Sequence, residues 1–187
     1  MEPLVKVEDF EAAALPHFSD LYRTALHISA DRGKAEDLVQ ETYLQAWKSF
    51  HRFEPGTNCR AWLFTILFHV IQHDRRKWYR FRFDSISNEQ TGVGDRLAYE
   101  PPVPERLTDE DVLAALEKIP QQYREVVLLA DVEEFSYREI ADILRIPSGT
   151  VMSRLSRGRS LLRTELARVA ESYGIMSNAK VTRRASA

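Results

Sequence analysis

The apolar residues of this chain recur at intervals of three and four along most of its length, which is the spacing of one face of an α-helix. Glycine is scarce, with 7 in 187 residues, and few segments show the apolar–polar alternation that predicts strands. The sequence therefore predicts an all-α fold. The predicted helices cover residues 8–28, 34–50, 60–80, 109–118, 121–130, 137–144 and 148–170.

The helical spacing is interrupted between residues 85 and 109, where two glycines and three prolines fall within residues 92–104. An aperiodic stretch of this length is uncommon inside a compact domain. The neighbourhood is also acidic, with eight acidic residues and two arginines between residues 84 and 111. We interpret it as an extended, flexible acidic linker. The predicted divisions are a first domain at 1–84, a linker at 85–108, a second domain at 109–174 and a disordered tail at 175–187.

Charge is strongly segregated, although the formal net charge is only −2. Residues 75–82 carry five basic side chains and no acidic one, and residues 145–163 carry five arginines and no acid. The net charge argues against a generally basic nucleic-acid binder, so we expect two local positive fields instead. Cys59 is the only cysteine, which rules out an internal disulfide. The chain also lacks an apolar run long enough to span a membrane and a signal-peptide core, so we expect a cytoplasmic protein.

Residues 137–163 predict a helix-turn-helix. A short amphipathic helix at 137–144 is followed by a break at Pro147 and by a second helix. At 100° per residue, one stripe of the second helix is apolar or small, serines lie opposite, and arginines flank the serines. Small residues let a helix enter the major groove while arginines reach phosphates or guanine edges. The alternative is a surface helix with solvated arginines. The predicted core stripe is Val151, Leu155, Gly158 and Leu162, the serines are Ser153, Ser156 and Ser160, and the flanking arginines are Arg154, Arg157, Arg159 and Arg163.

The predicted helix at 34–50 carries an acidic and amide face. Asp37, Gln40 and Glu41 stand at positions i, i+3 and i+4, so they share one side of the helix. The apolar stripe on the other side is predicted to hold Ala35, Val39, Tyr43, Ala46, Trp47 and Phe50. The polar face is either solvated surface or a docking face for a basic partner helix. Catalysis is less favoured because no nucleophile or metal cluster accompanies these residues.

The next helix, at 60–80, is apolar on one side and mixes aromatic, polar and basic residues on the other. Aromatic and basic side chains interleave up to residue 83. Rings stack on unpaired bases and cations hold phosphates, so the pattern favours a single-stranded nucleic-acid surface, with core packing as the alternative for each aromatic residue. His69 and His73 stand at i and i+4 and could bind a metal, but the sequence offers no evident third ligand.

The chain resembles the extracytoplasmic-function (ECF) group of RNA polymerase sigma factors. The resemblance rests on residues 37–47 (DLVQETYLQAW), 57–64 (TNCRAWLF), 119–126 (IPQQYREV), 135–141 (FSYREIA) and 146–155 (IPSGTVMSRL). These motifs occur in the order of the family and extend over about residues 10–170. The competing interpretation is a stand-alone helix-turn-helix regulator, which has no need of the acidic face at residues 37–41. An enzyme is a more distant alternative.

The resemblance implies two helical domains that bind core RNA polymerase and promoter DNA, with no cofactor, no metal and no catalytic residues. The first domain would bind the clamp helices of the largest polymerase subunit and open the minus-10 element. The second would dock in the minus-35 element and touch the polymerase flap, and an anti-sigma factor would hold the protein inactive. The implied polymerase-binding residues are Asp37, Gln40 and Glu41. The implied minus-10 residues are Asn58, Arg60, Trp62, His69, His73, Arg76, Lys77 and Arg80, and the implied minus-35 residues are Arg138, Ser148, Thr150, Ser153, Arg154, Arg157 and Arg159.

The chain departs from the family pattern at three positions. His69 stands where family members often carry Asn, which leaves the preferred minus-10 base open. Arg145 stands in the helix-turn-helix turn where Gly is frequent. Gly158 stands where Ala is frequent, and a glycine inside a helix costs about 1 kcal/mol relative to alanine.

Overall fold

A computed structural model describes residues 6–82 and 108–172, and within these ranges every regular element is helical. The predicted all-α fold is therefore confirmed. The predicted linker, apart from Thr108, and the predicted tail lie outside the described residues. No helix in the described ranges is long and apolar enough to cross a bilayer. The helices are α1 (Val7–Ala14), α2 (Phe18–Ser29), α3 (Arg32–Ser49), α4 (Cys59–Arg82), α5 (Asp109–Lys118), α6 (Gln121–Val127), α7 (Tyr137–Leu144) and α8 (Ser148–Ser172).

The single helix predicted at residues 8–28 is wrong. The chain forms α1 and α2, separated by a 3-10 turn at Leu15–His17. Pro16 lies in this turn, and a proline lacks the backbone N–H that would continue an α-helix. The apolar spacing continues through the turn, which is why periodicity alone did not reveal the break.

The helix predicted at residues 121–130 is also shorter than expected. α6 ends at Val127 and the chain continues as a π turn over Leu128–Val132. In that turn the backbone N–H of Glu133 donates to the carbonyl of Leu128 at 2.9 Å. The wider turn leads the chain to Glu133, whose side chain is 1% exposed.

The first helical unit, residues 6–82, is built around the apolar side of α4. Leu63, Phe64, Leu67 and Phe68 are fully buried, and they belong to the same core cluster as buried side chains of α2 and α3, including Leu21. This confirms the predicted apolar side of α4. Of the stripe predicted on α3, the alanines and the valine are buried, whereas Trp47 is 37% exposed and sets the edge of its ring against Phe10.

The second unit, residues 108–172, packs α8 against α5, α6 and α7. Val151 and Leu155 are buried as predicted, and Leu162 is half-buried. The Gly158 backbone lies against α6, since a Cβ atom at this position would stand 2.7 Å from Cγ2 of Val127. Close helix packing therefore explains the departure from alanine at position 158.

The turn between α7 and α8 is the predicted helix-turn-helix. Ser136 and Glu139 form a reciprocal capping box at the start of α7. Arg145 ends α7 in the left-handed conformation, with φ 54° and ψ 48°. Glycine adopts this conformation without the cost that a Cβ atom adds, so the structure accounts for the family preference at position 145 and identifies arginine there as strained.

The two units contact each other. α4 packs against α7, and α2 packs against α5 and α6. At the centre of the contact the rings of Phe64 and Phe135 meet edge to face, with centroids 4.9 Å apart. Polar residues of both units also meet at this contact, and two of them, Asn58 and Arg60, were predicted to bind DNA.

Candidate polymerase and DNA interfaces

A groove of about 750 Å³ runs between α3 and α4. The side chains of Asp37, Gln40 and Glu41 are exposed along it, on the face of α3 opposite the core. Leu44, which is 47% exposed, adds an apolar surface. The full lining is Lys34, Asp37, Leu38, Gln40, Glu41, Leu44, Gln45, His69, Val70, His73 and Asp74. A groove with exposed carboxylates and exposed apolar surface at Leu44 suits an amphipathic helix with basic residues.

His69 and His73 line this same groove from α4. The structure therefore brings them together with the predicted polymerase-binding residues, while their assignment to minus-10 DNA stays a prediction. Within residues 6–82 and 108–172, no group of three or more His, Cys, Asp or Glu side chains is arranged to hold a metal ion. Carboxylates and imidazoles thus lie together at the surface of the groove.

The start of α4 is fixed by Asn58. Its Oδ1 accepts from the backbone N–H of Ala61 at 3.1 Å, and its Nδ2 donates to Oε1 of Glu139 in the second unit at 2.8 Å. The hydrogen bonds that Ser136 donates to Glu139 are the largest cause of the lowered pKa of that carboxyl, and Asn58 and Arg60 act in the same direction. A predicted minus-10 residue is therefore engaged by a carboxylate of the other unit.

Arg60 is held more firmly by the second unit. Its Nη1 donates to the backbone carbonyl of Glu133 at 2.8 Å and its Nη2 donates to the Glu133 carboxylate. Its guanidinium also lies over the rings of Phe64 and Phe135, at 5.1 and 4.5 Å from the centroids. In this arrangement the second predicted minus-10 residue is covered.

Asp20 is the acidic partner within the first unit. It accepts from Arg60 Nε at 2.8 Å and from Arg23 Nη2 at 3.1 Å. Desolvation alone would raise the pKa of Asp20, but the hydrogen bonds and positive charges of Arg60 and Arg23 outweigh it and lower the pKa. The carboxylate is therefore the charged form that the two guanidiniums require.

The remaining minus-10 candidates differ in their surroundings. Trp62 is partly buried against Phe53 and Phe50, with centroids 5.0 and 6.2 Å apart, so it contributes to packing. Arg76 is exposed. Lys77 and Arg80 lie on α4, but their side chains fall outside the described residues. Arg75, part of the predicted basic run, donates instead to Oε1 of Glu125 in the second unit at 2.7 Å.

Sequence reasoning missed Arg23, Thr24 and Glu133, which meet at the contact between the units. The chain separates Thr24 from Glu133 by 109 residues, so no local motif joins them. One signal was available: Thr24 is a polar residue in the otherwise apolar buried stripe of α2. A buried hydroxyl needs a hydrogen-bond partner, and here it donates to Glu133.

The outer face of α8 is exposed as its helical spacing predicts, while its DNA-reading role stays a prediction. Ser153, Ser156 and Arg157 are exposed opposite the buried Val151 and Leu155. Met152 is 54% exposed on the same face, an apolar side chain that the predicted set did not include. The other predicted minus-35 residues are exposed at Arg138, Ser148 and Arg159, and partly buried at Thr150 and Arg154.

Arg159 is directed by an ion pair. Its Nη2 lies 2.5 Å from Oδ1 of Asp131 and its Nε donates to Oδ2 at 3.1 Å. The hydrogen bonds with Asp131 raise the pKa of Arg159. The side chain is thereby drawn toward the π turn.

The helical units match two sequence families. Sigma-70 region 2 matches residues 15–80 and Sigma-70, region 4 matches residues 109–162. These matches define the class: the chain is a sigma factor of the sigma-70 type, built of region 2 and region 4.

Relatives specify the group. ECF RNA polymerase sigma factor EcfG of Rhodopseudomonas palustris is 37% identical over 150 residues, which are 80% of this chain and 79% of the relative. ECF RNA polymerase sigma factor SigE of Mycolicibacterium smegmatis is 34% identical over 171 residues, which are 84% of this chain but only 65% of the relative. The sigma factor RpoE of Bartonella quintana, solved in complex with the anti-sigma factor NepR, has a TM-score of 0.70 at 35% identity, covering 86% of this chain and 98% of that chain. The chain belongs to the ECF group of RNA polymerase sigma factors.

The family consists of DNA-binding transcription factors rather than enzymes. Burial raises the pKa of the Cys59 thiol.

Proposed function

We propose that this protein binds core RNA polymerase and directs it to promoters that carry a minus-35 and a minus-10 element. The observation that carries the proposal is the pairing of an exposed carboxylate groove on the first unit with a helix-turn-helix on the second. A stand-alone regulator accounts for the helix-turn-helix but not for the groove.

The polymerase contact would use Asp37, Gln40 and Glu41. The exposed carboxylates and Leu44 offer charge and apolar area to a basic amphipathic helix, which is the chemistry expected of the clamp helices of the largest subunit. His69 and His73 border the same groove and would add polar contacts. The second unit would touch the polymerase flap, and the protein would act in the cytoplasm, where polymerase works.

The minus-10 contact would use the start and outer side of α4. Asn58 and Arg60 carry amide and guanidinium donors suited to bases and phosphates, and Arg76, Lys77 and Arg80 extend a basic strip. Trp62 would support the loop before α4 through its packing on Phe53.

The minus-35 contact would use α8, with Ser153 and Arg157 facing bases and Arg154 and Arg159 near phosphates. Arg138, Ser148 and Thr150, at the starts of α7 and α8, would reach the backbone on either side.

Neither DNA contact would be strong alone. Residues 1–84 and 109–174 would act as two separate readers joined by the acidic linker at 85–108, with a tail from residue 175. Polymerase would bring both readers to one promoter and raise their effective concentration.

We also propose that an anti-sigma factor controls the protein. The support is the likeness to a sigma factor that was solved with its anti-sigma factor bound. Such a partner would stabilise the packed arrangement of the two units and compete with polymerase for the α3–α4 groove.

Run-off transcription tests the main proposal. Core polymerase and this protein, with no other factor, should yield a transcript of defined length from a cognate promoter, and core alone should not. Promoter duplex should bind the isolated protein weakly and the holoenzyme tightly. Tight sequence-specific binding without polymerase, together with no transcript, would instead identify a stand-alone regulator.

A further inference from the structure

The carboxylate of Glu133 occupies a site that belongs to the other unit. Arg23 Nη2 donates to its two oxygens at 3.0 and 3.2 Å, and Thr24 Oγ1 donates to Oε1 at 3.0 Å. Arg60 Nη2 donates to Oε2. All three donors lie in residues 6–82, whereas the acceptor lies in residues 108–172. If the two units separate, the Glu133 carboxylate leaves this site and neither unit has to unfold.

The donor set is suited to a phosphate. Guanidinium forks and a hydroxyl are the groups that bind phosphate oxygens with short, charge-assisted hydrogen bonds. Asp20 pairs with both Arg23 and Arg60, so it offsets one of their two positive charges and leaves one for a bound anion. A phosphodiester carries one negative charge, as the Glu133 carboxylate does.

The site is largely buried. Thr24 is fully buried, the side chain of Arg60 is 23% exposed, and the Glu133 side chain is 1% exposed. When the Glu133 carboxylate leaves, the guanidiniums of Arg23 and Arg60 and the hydroxyl of Thr24 lose a hydrogen-bond partner at a partly desolvated site. This loss is unfavourable unless another anion binds there. The residues thus favour exchange of one anion for another.

The position of the site indicates which anion that is. Asn58, two residues before Arg60 at the start of α4, donates a hydrogen bond to Glu139 of the second unit. Two carboxylates of the second unit, Glu133 and Glu139, are thereby paired with two neighbouring residues that would hold the minus-10 strand. A nucleic-acid strand at Asn58 would bring a phosphate to Arg60 when the second unit moves away.

We propose that Arg23, Thr24 and Arg60 form a binding site for one backbone phosphate of single-stranded minus-10 DNA, and that Glu133 occupies this site while the two units are packed together. The proposal deepens the minus-10 role given above and rests on it. The DNA strand and the second unit would then compete for the same site on the first unit. The free protein would therefore bind the strand poorly, and separation of the units would expose the site.

Binding of a fluorescein-labelled single-stranded oligonucleotide with a minus-10 sequence, measured by anisotropy on the full chain, tests this. Glu133→Gln removes the carboxylate that competes with the phosphate, so it should tighten binding by about tenfold relative to the wild type. A tenfold change in affinity corresponds to about 1.4 kcal/mol. Glu134→Gln is the matched control: it removes the same charge from the exposed neighbouring residue and should change affinity less than twofold, an order-of-magnitude bound set by one solvated charge.

A second measurement addresses the phosphate itself. In the Glu133→Gln background, Arg23→Gln should weaken binding and reduce the slope of log K against log salt concentration by about 0.7, the value for one phosphate contact on a single strand. Thermal unfolding shows whether each variant is folded. Small-angle X-ray scattering tests the separation of the units: the oligonucleotide should increase the radius of gyration of the wild-type protein.

Equal affinities for Glu133→Gln, Glu134→Gln and the wild type would overturn the competition. An unchanged salt slope for Arg23→Gln would overturn the phosphate site. If run-off transcription succeeds and these binding results fail, only this inference falls. If the binding results hold but core polymerase produces no transcript, the proposed function falls instead.

Discussion

The backbone of Gly158 on α8 lies so close to α6 that a Cβ atom there would stand 2.7 Å from Cγ2 of Val127 and 3.2 Å from the carbonyl oxygen of Tyr123. Both neighbours are buried and one contact is with backbone, so neither can move aside at low cost. Overpacking of this kind costs about 1–3 kcal/mol. The better helix propensity of alanine returns only about 1 kcal/mol.

We therefore expect Gly158→Ala to lower the free energy of unfolding by about 1 kcal/mol, and Gly158→Val to lower it further. Urea unfolding of the full chain, followed by circular dichroism, measures both. Gly149→Ala is the control, since a Cβ atom at position 149 has nothing within 4 Å. Equal stability of the wild type and Gly158→Val would contradict the close packing.

Replacement of Arg145 by glycine should instead raise the free energy of unfolding. Its φ of 54° is costly for a residue with a Cβ atom, and glycine removes that cost at the end of α7. Because glycine also gives the unfolded chain more freedom, the expected net gain for Arg145→Gly is about 0.5–1 kcal/mol.

The same urea measurement tests the Arg145 prediction. Arg138→Gly provides the contrast, because Arg138 is exposed in the first turn of α7 without a positive φ, so glycine there should destabilise, by up to about 1 kcal/mol. A loss of stability in Arg145→Gly would show that the arginine side chain makes a contribution larger than its backbone strain.

The helices and their faces could be predicted because they depend on local spacing. Val151 and Leu155 are buried and Ser153 is exposed, as the 100° rotation per residue requires. The break at Pro16 could also have been predicted, from proline chemistry rather than from periodicity.

The contact between the units could not be predicted. Glu133 binds residues about 110 positions earlier, and an acidic side chain in a turn looks solvated when only its neighbours in sequence are known. Arg60, which the sequence assigns to minus-10 DNA, is likewise paired with Glu133. Their pairing depends on how the π turn aims Glu133, and π turns leave no clear periodic signal.

The stability contributed by the capping box of α7 depends on pH through the carboxyl group of Glu139. Its pKa lies below the ordinary value of 4.5, chiefly because Ser136 donates side-chain and backbone hydrogen bonds to the carboxylate. A lowered pKa in the folded state means that the stabilisation is present above about pH 4.5 and is lost as the pH falls through the folded value. Ser136→Ala should raise the pKa of Glu139 toward 4.5 and reduce stability at neutral pH by about 1 kcal/mol.

An NMR titration of the Glu139 side-chain carbon measures this shift directly. Unfolding at neutral and at acidic pH should show a smaller acid-induced loss in Ser136→Ala than in the wild type. Ser49→Ala is a suitable control, because Ser49 donates only to carbonyls of its own helix, at Gln45 and Ala46. An unaltered pKa of Glu139 in Ser136→Ala would assign its shift to the Ser136 backbone N–H, Asn58 and Arg60 instead.

Charge reversal in the α3–α4 groove tests polymerase docking. Glu41 is exposed and accepts a hydrogen bond from Gln45 at 2.9 Å. Glu41→Arg should weaken binding to core polymerase by about tenfold, about 1.4 kcal/mol, because it repels a basic partner helix. Fluorescence titration of labelled protein with core polymerase measures the affinity.

Glu36→Arg is the matched control for Glu41→Arg. Glu36 is an exposed acidic residue of the same helix that lies outside the groove. Its reversal should leave the affinity for polymerase nearly unchanged. Equal affinities for the wild type and Glu41→Arg would reject the docking role of this face.

The outer face of α8 predicts which arginines support minus-35 recognition. Arg157 is exposed beside Ser153 and Ser156, whereas Arg154 is partly buried at the edge of the same face. Replacing either by alanine should reduce transcription from a promoter with an intact minus-35 element by about 5- to 150-fold, the range that corresponds to about 1–3 kcal/mol per DNA contact. Transcription from a promoter with a scrambled minus-35 element should change much less.

Arg168→Ala controls for loss of positive charge from the same helix. Arg168 lies near the end of α8, pairs with Glu165 and is remote from the turn that would enter the groove. It should leave both promoters unaffected in run-off transcription. If Arg154→Ala and Arg157→Ala also leave the intact promoter unaffected, a different face of α8 must meet the DNA, because a helix that reads a groove through this face cannot lose both arginines without losing phosphate or base contacts.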